Sequence, residues 1–133
     1  MRRILTGLGV LFAALVVIFG AGVAFFYYTI TRLDPYPTFM ANYLPPGTHS
    51  YEEEARTFSD FVVRIFPIGS DVKNAIAQIT GGGFRITESS SESVELLWRR
   101  HAGPCDELYS IVIKQAADGT IARITGRLNP ICL

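Results

Sequence analysis

Cys105 and Cys132 are the only thiols in the chain and stand near the two ends of its last stretch, GPCDELYSIVIKQAADGTIARITGRLNPICL. Free, they could serve redox chemistry or ligate a metal; joined, they would be a structural staple. Redox and metal sites favour a C-x-x-C spacing or a second cluster of ligands. Neither accompanies these cysteines, whose nearest imidazole is His101. The other candidates for chemistry are scattered. His49 and His101, the only histidines, lie far apart and in different kinds of element. Asp106 and Glu107 are adjacent carboxylates, but neighbours on a strand point to opposite faces and give no acid–base pair. Ser89, Ser90 and Ser91 have no base beside them and fit a solvated turn. Gly81, Gly82 and Gly83 follow a helical pattern and lack the Lys-Ser/Thr partner of a phosphate loop, so they fit a helix end. No nucleophile comes with an activator, and the sequence is read as non-enzymatic, with no cofactor, no catalytic residue, no metal site and no identifiable small-molecule substrate. An enzyme would need a pocket around His101, Asp106 and Glu107.

The elements that position the cysteines decide between thiol and staple. Segments 107–116 and 121–128 are rich in Ile, Val, Tyr and Thr, and Asp118-Gly119 between them is a two-residue hairpin signal. With those two residues as the turn, Lys114 falls opposite Arg123, Ser110 opposite Arg127, and Cys105 opposite Cys132. Alternation puts Tyr109, Ile111, Ile113, Ala122, Ile124, Gly126, Leu128 and both cysteines on one face, and Ser110, Lys114, Arg123, Thr125 and Arg127 on the other, with Leu108, Val112 and Ile121 as exceptions. Directly opposed residues are close enough for a disulfide, although Pro104 and Pro130 are expected to disturb the ladder near its ends. Closing such a loop contributes roughly 3 to 4 kcal/mol in the chain-entropy model. A disulfide also requires an oxidising compartment.

Upstream, Ser50 and Glu53 form a capping-box pattern, and Ala55, Phe58, Phe61, Val62, Ile65 and Phe66 recur at helical spacing up to Pro67. A second helix is expected to start at Gly69 and Ser70, carry Val72, Ala75, Ile76 and Ile79 inward, and stop at the glycines. Phe84–Glu88 and Val94–Arg100 alternate as strands. The expected fold is α+β: a single N-terminal transmembrane helix, then a domain (residues 50–133) of two helices packed on an antiparallel meander of three to four strands.

Ile4 to Ile30 contains no charged residue and would be about 40 Å long as a helix, enough to cross a bilayer core of roughly 30 Å. Residues 4–30 are therefore read as a retained transmembrane helix. The rival is a signal peptide cut near Gly22-Val23-Ala24, but the apolar run continues past that point. Arg2 and Arg3 place residues 1–3 in the cytoplasm and the domain outside. No cysteine precedes Cys105, so the lipid anchor of bacterial lipoproteins has no attachment residue. Thr6, Gly9, Ala13, Gly20 and Ala24 gather on one side of the helix and would let a partner helix approach closely, while Phe12, Phe19 and Phe26 suit lipid; Gly22 departs from this pattern.

Residues 31–49 form a linker in which Pro35, Pro37, Pro45 and Pro46 forbid a long helix. A flexible tether would be Gly/Ser-rich, whereas this one carries Tyr36, Phe39, Met40, Tyr43 and Leu44. Such side chains either meet the membrane interface or a partner, the reading adopted for Tyr36, Phe39, Met40 and Tyr43, or fold back onto the domain. On the outward sheet face Arg99, Lys114, Arg123 and Arg127 form a basic stripe able to meet an anionic partner or lipid headgroups, unless it is simply solvated. The 12 Lys and Arg balance the 12 Asp and Glu, which removes the general charge argument for nucleic acid.

The order helix, helix, meander, with the helix start in FPIGSDVKNAIAQITGGGF, resembles the small periplasmic domain of BamE-type (SmpA/OmlA) envelope proteins and the related β-lactamase-inhibitor-protein module over roughly Ser50 to Leu133. The resemblance implies a non-enzymatic adaptor in a bacterial envelope. The chain departs from that family in having a helical anchor in place of a lipoprotein cysteine. The expected protein is a single-pass subunit of the bacterial inner membrane, its domain periplasmic, that assists or assembles a larger integral membrane complex. The alternative is a free-standing envelope adaptor that binds a soluble or outer-membrane partner through the basic face.

Overall fold

The computed structural model describes residues 2–45, 47 and 49–132, with side chains from Phe12 onward. The chain divides into two units, Met1–Arg32 and Leu33–Leu133. The first is one helix, α1 (Arg2–Thr31). Its stretch Phe12–Thr31 is long and apolar enough to span a membrane, and none of it is buried inside the protein. Near its end Thr29 and Thr31 turn their hydroxyls back to the carbonyls of Phe25 and Tyr27, both at 2.8 Å, which satisfies both donors within the helix.

The second unit is α+β: α2 (Tyr51–Ile65), α3 (Val72–Gly81), and strands β1 (Arg85–Ser89), β2 (Ser93–Ala102), β3 (Cys105–Gln115) and β4 (Ile121–Cys132) in one antiparallel sheet of order β1-β2-β3-β4. Ser50 starts α2 through a complete capping box: its hydroxyl accepts from the Glu53 amide, and its own amide donates to the Glu53 carboxylate at 3.0 Å. The second helix starts later than the sequence pattern implies. Gly69, at φ +88°, and Ser70 instead run beside β4, where the Gly69 amide donates to the Ile121 carbonyl and the Ile121 amide to that of Ser70. Asp71 then caps α3 by accepting from the Asn74 amide at 2.8 Å.

The expected register of the last hairpin holds from Lys114↔Arg123 through Ser110↔Arg127 to Cys105↔Cys132, but the turn is built differently. The loop has three residues: the Gly119 amide donates to the Ala116 carbonyl, the Ala116 amide donates to the Thr120 carbonyl, and Gly119 takes φ +83°. A bulge between Lys114 and Gln115 then absorbs the extra residue. That bulge removes one exception in the face pattern, since Ile121 becomes fully buried while Ala122, expected inside, is exposed. Neither proline breaks the ladder. Pro104 sits in the tight β2–β3 turn after Gly103 (φ +66°), and Pro130 lies on the edge strand, still opposite Glu107.

Both helices cover one face of the sheet. Phe58, Phe61 and Val62 of α2 and Val72, Ala75 and Ile79 of α3 meet Leu96, Tyr109, Ile111, Ile113 and Ile124 in one core. Gly126 lets α2 lie directly on β4, because a Cβ there would stand 2.9 Å from Val62 and 3.0 Å from Phe58.

The linker reading is corrected by the core. Met40 is fully buried, Tyr43 is 3 % exposed, and Tyr36, Phe39 and Leu44 pack against the same cluster. The unit therefore begins at Leu33, not at residue 50. A Cβ on Gly82 would come within 2.5 Å of the Phe39 ring, so the helix-ending glycine also makes room for the linker. The physical reason for the fold-back is area: aromatic and Met side chains gain about 25 cal/mol per Å² by leaving water.

Candidate functional site

Alternation along β2 places Arg100 on the same inward face as Leu96 and Trp98, and the ladder sets it opposite Glu107, inward on β3 with Tyr109. Two opposite charges are thus carried into the core side of the sheet, the pair only 12 % and 5 % exposed at the side chain. Arg100 Nη1 donates to Glu107 Oε2 at 2.9 Å, and the Tyr109 hydroxyl donates to the same oxygen at 2.8 Å. The Tyr43 and Tyr109 hydroxyls are 2.8 Å apart. Burial pushes both phenols far up, so they stay protonated and work as hydrogen-bond groups, not as bases.

The same guanidinium grips the entering chain. Its Nε donates to the Asp34 carbonyl at 2.8 Å, Nη1 also reaches the Tyr36 hydroxyl at 2.7 Å, and its carbon lies 3.9 Å from the centre of the Tyr36 ring. Beside it the Asp34 amide donates to the His101 carbonyl at 2.9 Å, and Leu33 bridges to Ala102. Arg100, Glu107 and Tyr109 were missed as a site by the sequence reading. Their signal was present, however: one base and one acid on the apolar phase of adjacent alternating strands.

Glu54 of α2 approaches this cluster with Oε2 out of water and without a hydrogen-bond partner. Burial, and then the Glu107 charge, raise its carboxyl above the ordinary range.

The sequence-derived site residues distribute as follows. Cys105 and Cys132 form the disulfide. Ala13, Gly20 and Ala24 are exposed on α1, and Gly20 has open space around it; the side-chain positions of Thr6 and Gly9 lie outside the described residues. Tyr36, Phe39, Met40 and Tyr43 line the interior described above, and the buried Met40 and Tyr43 are not available to a partner. Lys114, Arg123 and Arg127 share the outward face with Val112 and Thr125 and line one shallow recess with them. Arg99 is apart from that group: it pairs with Asp106, which also lies 3.1 Å from His101 Nδ1, and it borders a second recess with Arg85, Thr87, Leu97 and Trp98. The Arg99 hydrogen bond, and then that of His101, hold the Asp106 carboxyl below its usual range. His101 and Asp106 meet on the outward face while Glu107 points into the core, so the three do not surround a common concavity. His49 bonds the Pro45 carbonyl through Nε2 at 2.8 Å. Among the described residues no group of three or more His, Cys, Asp or Glu could hold a metal.

Comparison with protein-family models, with curated proteins and with solved structures finds no match to this chain.

Two expected outcomes follow from the buried charges. Arg100→Met should cost about 3 to 5 kcal/mol in urea unfolding, because Glu107 is left charged and uncompensated, and the double variant Arg100→Met/Glu107→Leu should recover part of that loss. Glu54→Gln should raise the melting temperature by a few degrees at pH 7.5. A carboxyl whose folded pKa is raised favours the fold below its unfolded value and loses that contribution as pH rises through the folded one, so the gain should vanish below about pH 4.5. Thermal unfolding across pH checks the sign.

Proposed function

We propose that this protein is a single-pass, membrane-anchored interaction subunit that assists or assembles a larger integral membrane complex, with its disulfide-stapled domain on the oxidising, periplasmic side of a bacterial inner membrane. The observation that carries this role is the stretch Phe12–Thr31, long and apolar enough to span a membrane and not buried in the protein, followed directly in the chain by a disulfide-bonded folded unit. Such a stretch favours partners in the same membrane over the alternative of an adaptor that binds an outer-membrane protein.

The disulfide supports an oxidising compartment, and Arg2 and Arg3 ahead of the uncharged stretch that starts at Ile4 support a cytoplasmic N-terminus. Small residues on one side of α1 suit helix packing, with Ala13, Gly20 and Ala24 the docking positions and Thr6 and Gly9 continuing the same side. The resemblance in element order to BamE-type modules also fits an adaptor role, although the sheet here has four strands.

Extraction of the native membrane in mild detergent, purification through a C-terminal tag, and mass spectrometry tests the role. The expected result is an intact chain that retains α1 and brings down a stoichiometric set of integral membrane proteins, which Gly9→Leu/Ala13→Leu/Gly20→Leu releases. A chain cut near Ala24, or one that purifies alone, would refute it.

A further inference from the structure

The charges on the sheet divide into two kinds. Arg99 and Arg100 each hold a carboxylate, from Asp106 and Glu107. Lys114, Arg123 and Arg127 have no ion-pair partner among the described residues, although they are placed where like charges repel. Lys114 stands directly opposite Arg123 in the ladder, an arrangement that costs stability in a sheet. Arg123, Thr125 and Arg127 alternate along β4 on the same outward face, and Val112 completes the recess they line with Lys114. Residues four apart on a strand have Cα atoms about 13 Å apart, so the two guanidinium groups can bend toward each other over the Thr125 hydroxyl. Glu95 stands opposite Val112, and Glu92 shares a neighbouring recess with Lys114. Neither forms an ion pair with the three cations.

We propose that this recess binds a phosphate-bearing anion. Lys114 and Arg123 face one phosphate together, with Thr125 as a hydroxyl donor, and Arg127 reaches a second phosphate or the far oxygens of the first. Three cations and a hydroxyl offer more donors and charge than one carboxylate can use, and the planar guanidinium fork matches phosphate oxygens in pairs. The anion would also remove the repulsion between Lys114 and Arg123. This site is separate from α1 and does not depend on the helix packing against a partner.

The probes are inorganic pyrophosphate, for a soluble phosphate compound, and phosphatidylglycerol, for a lipid headgroup. Both are titrated by fluorescence or calorimetry into the full-length chain in neutral detergent, with phosphatidylcholine as the lipid control. The expected result is saturable binding of at least one probe that weakens about tenfold or more in Arg123→Gln/Arg127→Gln and falls with added salt. Binding of pyrophosphate assigns the source to a soluble compound, and binding of phosphatidylglycerol alone assigns it to the membrane; either supports the site. The substitutions are on exposed side chains, and an unchanged melting curve shows that the variant folds. A second variant, Lys114→Gln, should show an intermediate loss. Binding of neither probe, or equal binding by wild type and variants, overturns the proposal.

Discussion

A buried guanidinium is expensive to desolvate, and Arg100 is tolerated because a counter-charge, two further acceptors and an aromatic face meet it. Glu107 supplies the counter-charge, the Asp34 carbonyl and the Tyr36 hydroxyl take further donors, and the Tyr36 ring covers one face. A hydrophobic pair of similar volume would serve stability as well or better. What the buried guanidinium adds is a condition on the fold: residues 34–36 must lie against Arg100, or its donors to the Asp34 carbonyl and the Tyr36 hydroxyl lose their acceptors. Residues 33–44 are thereby drawn into the domain, and Met40, Tyr43 and Phe39 fill the space between the helices and the sheet. The tyrosine hydroxyls form the continuation of the same network into the core, with Tyr109 bonded both to Glu107 and to Tyr43.

The disulfide and this clasp act at the same end of the sheet. Cys105 is paired across the ladder with Cys132 on one side and with Ala102 on the other, and Ala102 is the residue to which Leu33 bridges. The covalent link closes β4 onto β3, and the hydrogen bonds of Asp34 and Arg100 close the entering chain onto β2 and β3. Both secure the end of the domain where the chain passes from an apolar helix into a folded unit. The opposite end, with the three-residue turn and its bulge, is fixed by the Gly69–Asp71 segment running beside Ile121. The outward face carries Lys114, Arg123 and Arg127, which form no ion pair among the described residues.

Most of the sheet was legible in the sequence, because register follows from period-two alternation once a turn is located. The pairing of Cys105 with Cys132 was found even though the turn was misread, since a three-residue loop plus a one-residue bulge leaves the same register as a two-residue loop. Ile121 and Ala122 gave the only sign of that bulge, through an inverted polarity. The capping box of α2 was equally plain, being a local interaction between Ser50 and Glu53. The start of α3 was not, because Gly69 and Ser70 are held by β4, a contact far away in sequence. The linker was the larger miss. Its aromatic residues were visible as apolar, but apolarity alone does not say which surface covers them; Arg100 and Glu107 decide it, and an inward charge pair was the clue left unused.

The central claim is that the segment after the apolar helix is part of the folded domain and not a tether. Hydrogen exchange of the full-length chain in detergent, followed by mass spectrometry of peptides covering 33–44, tests this most directly. The Asp34 amide is bonded to the His101 carbonyl, and those of Met40 and Tyr43 to the carbonyls of Pro37 and Met40, so these peptides should exchange slowly, on the timescale of β2 and β3. Complete exchange within seconds, while the strands stay protected, would contradict the account.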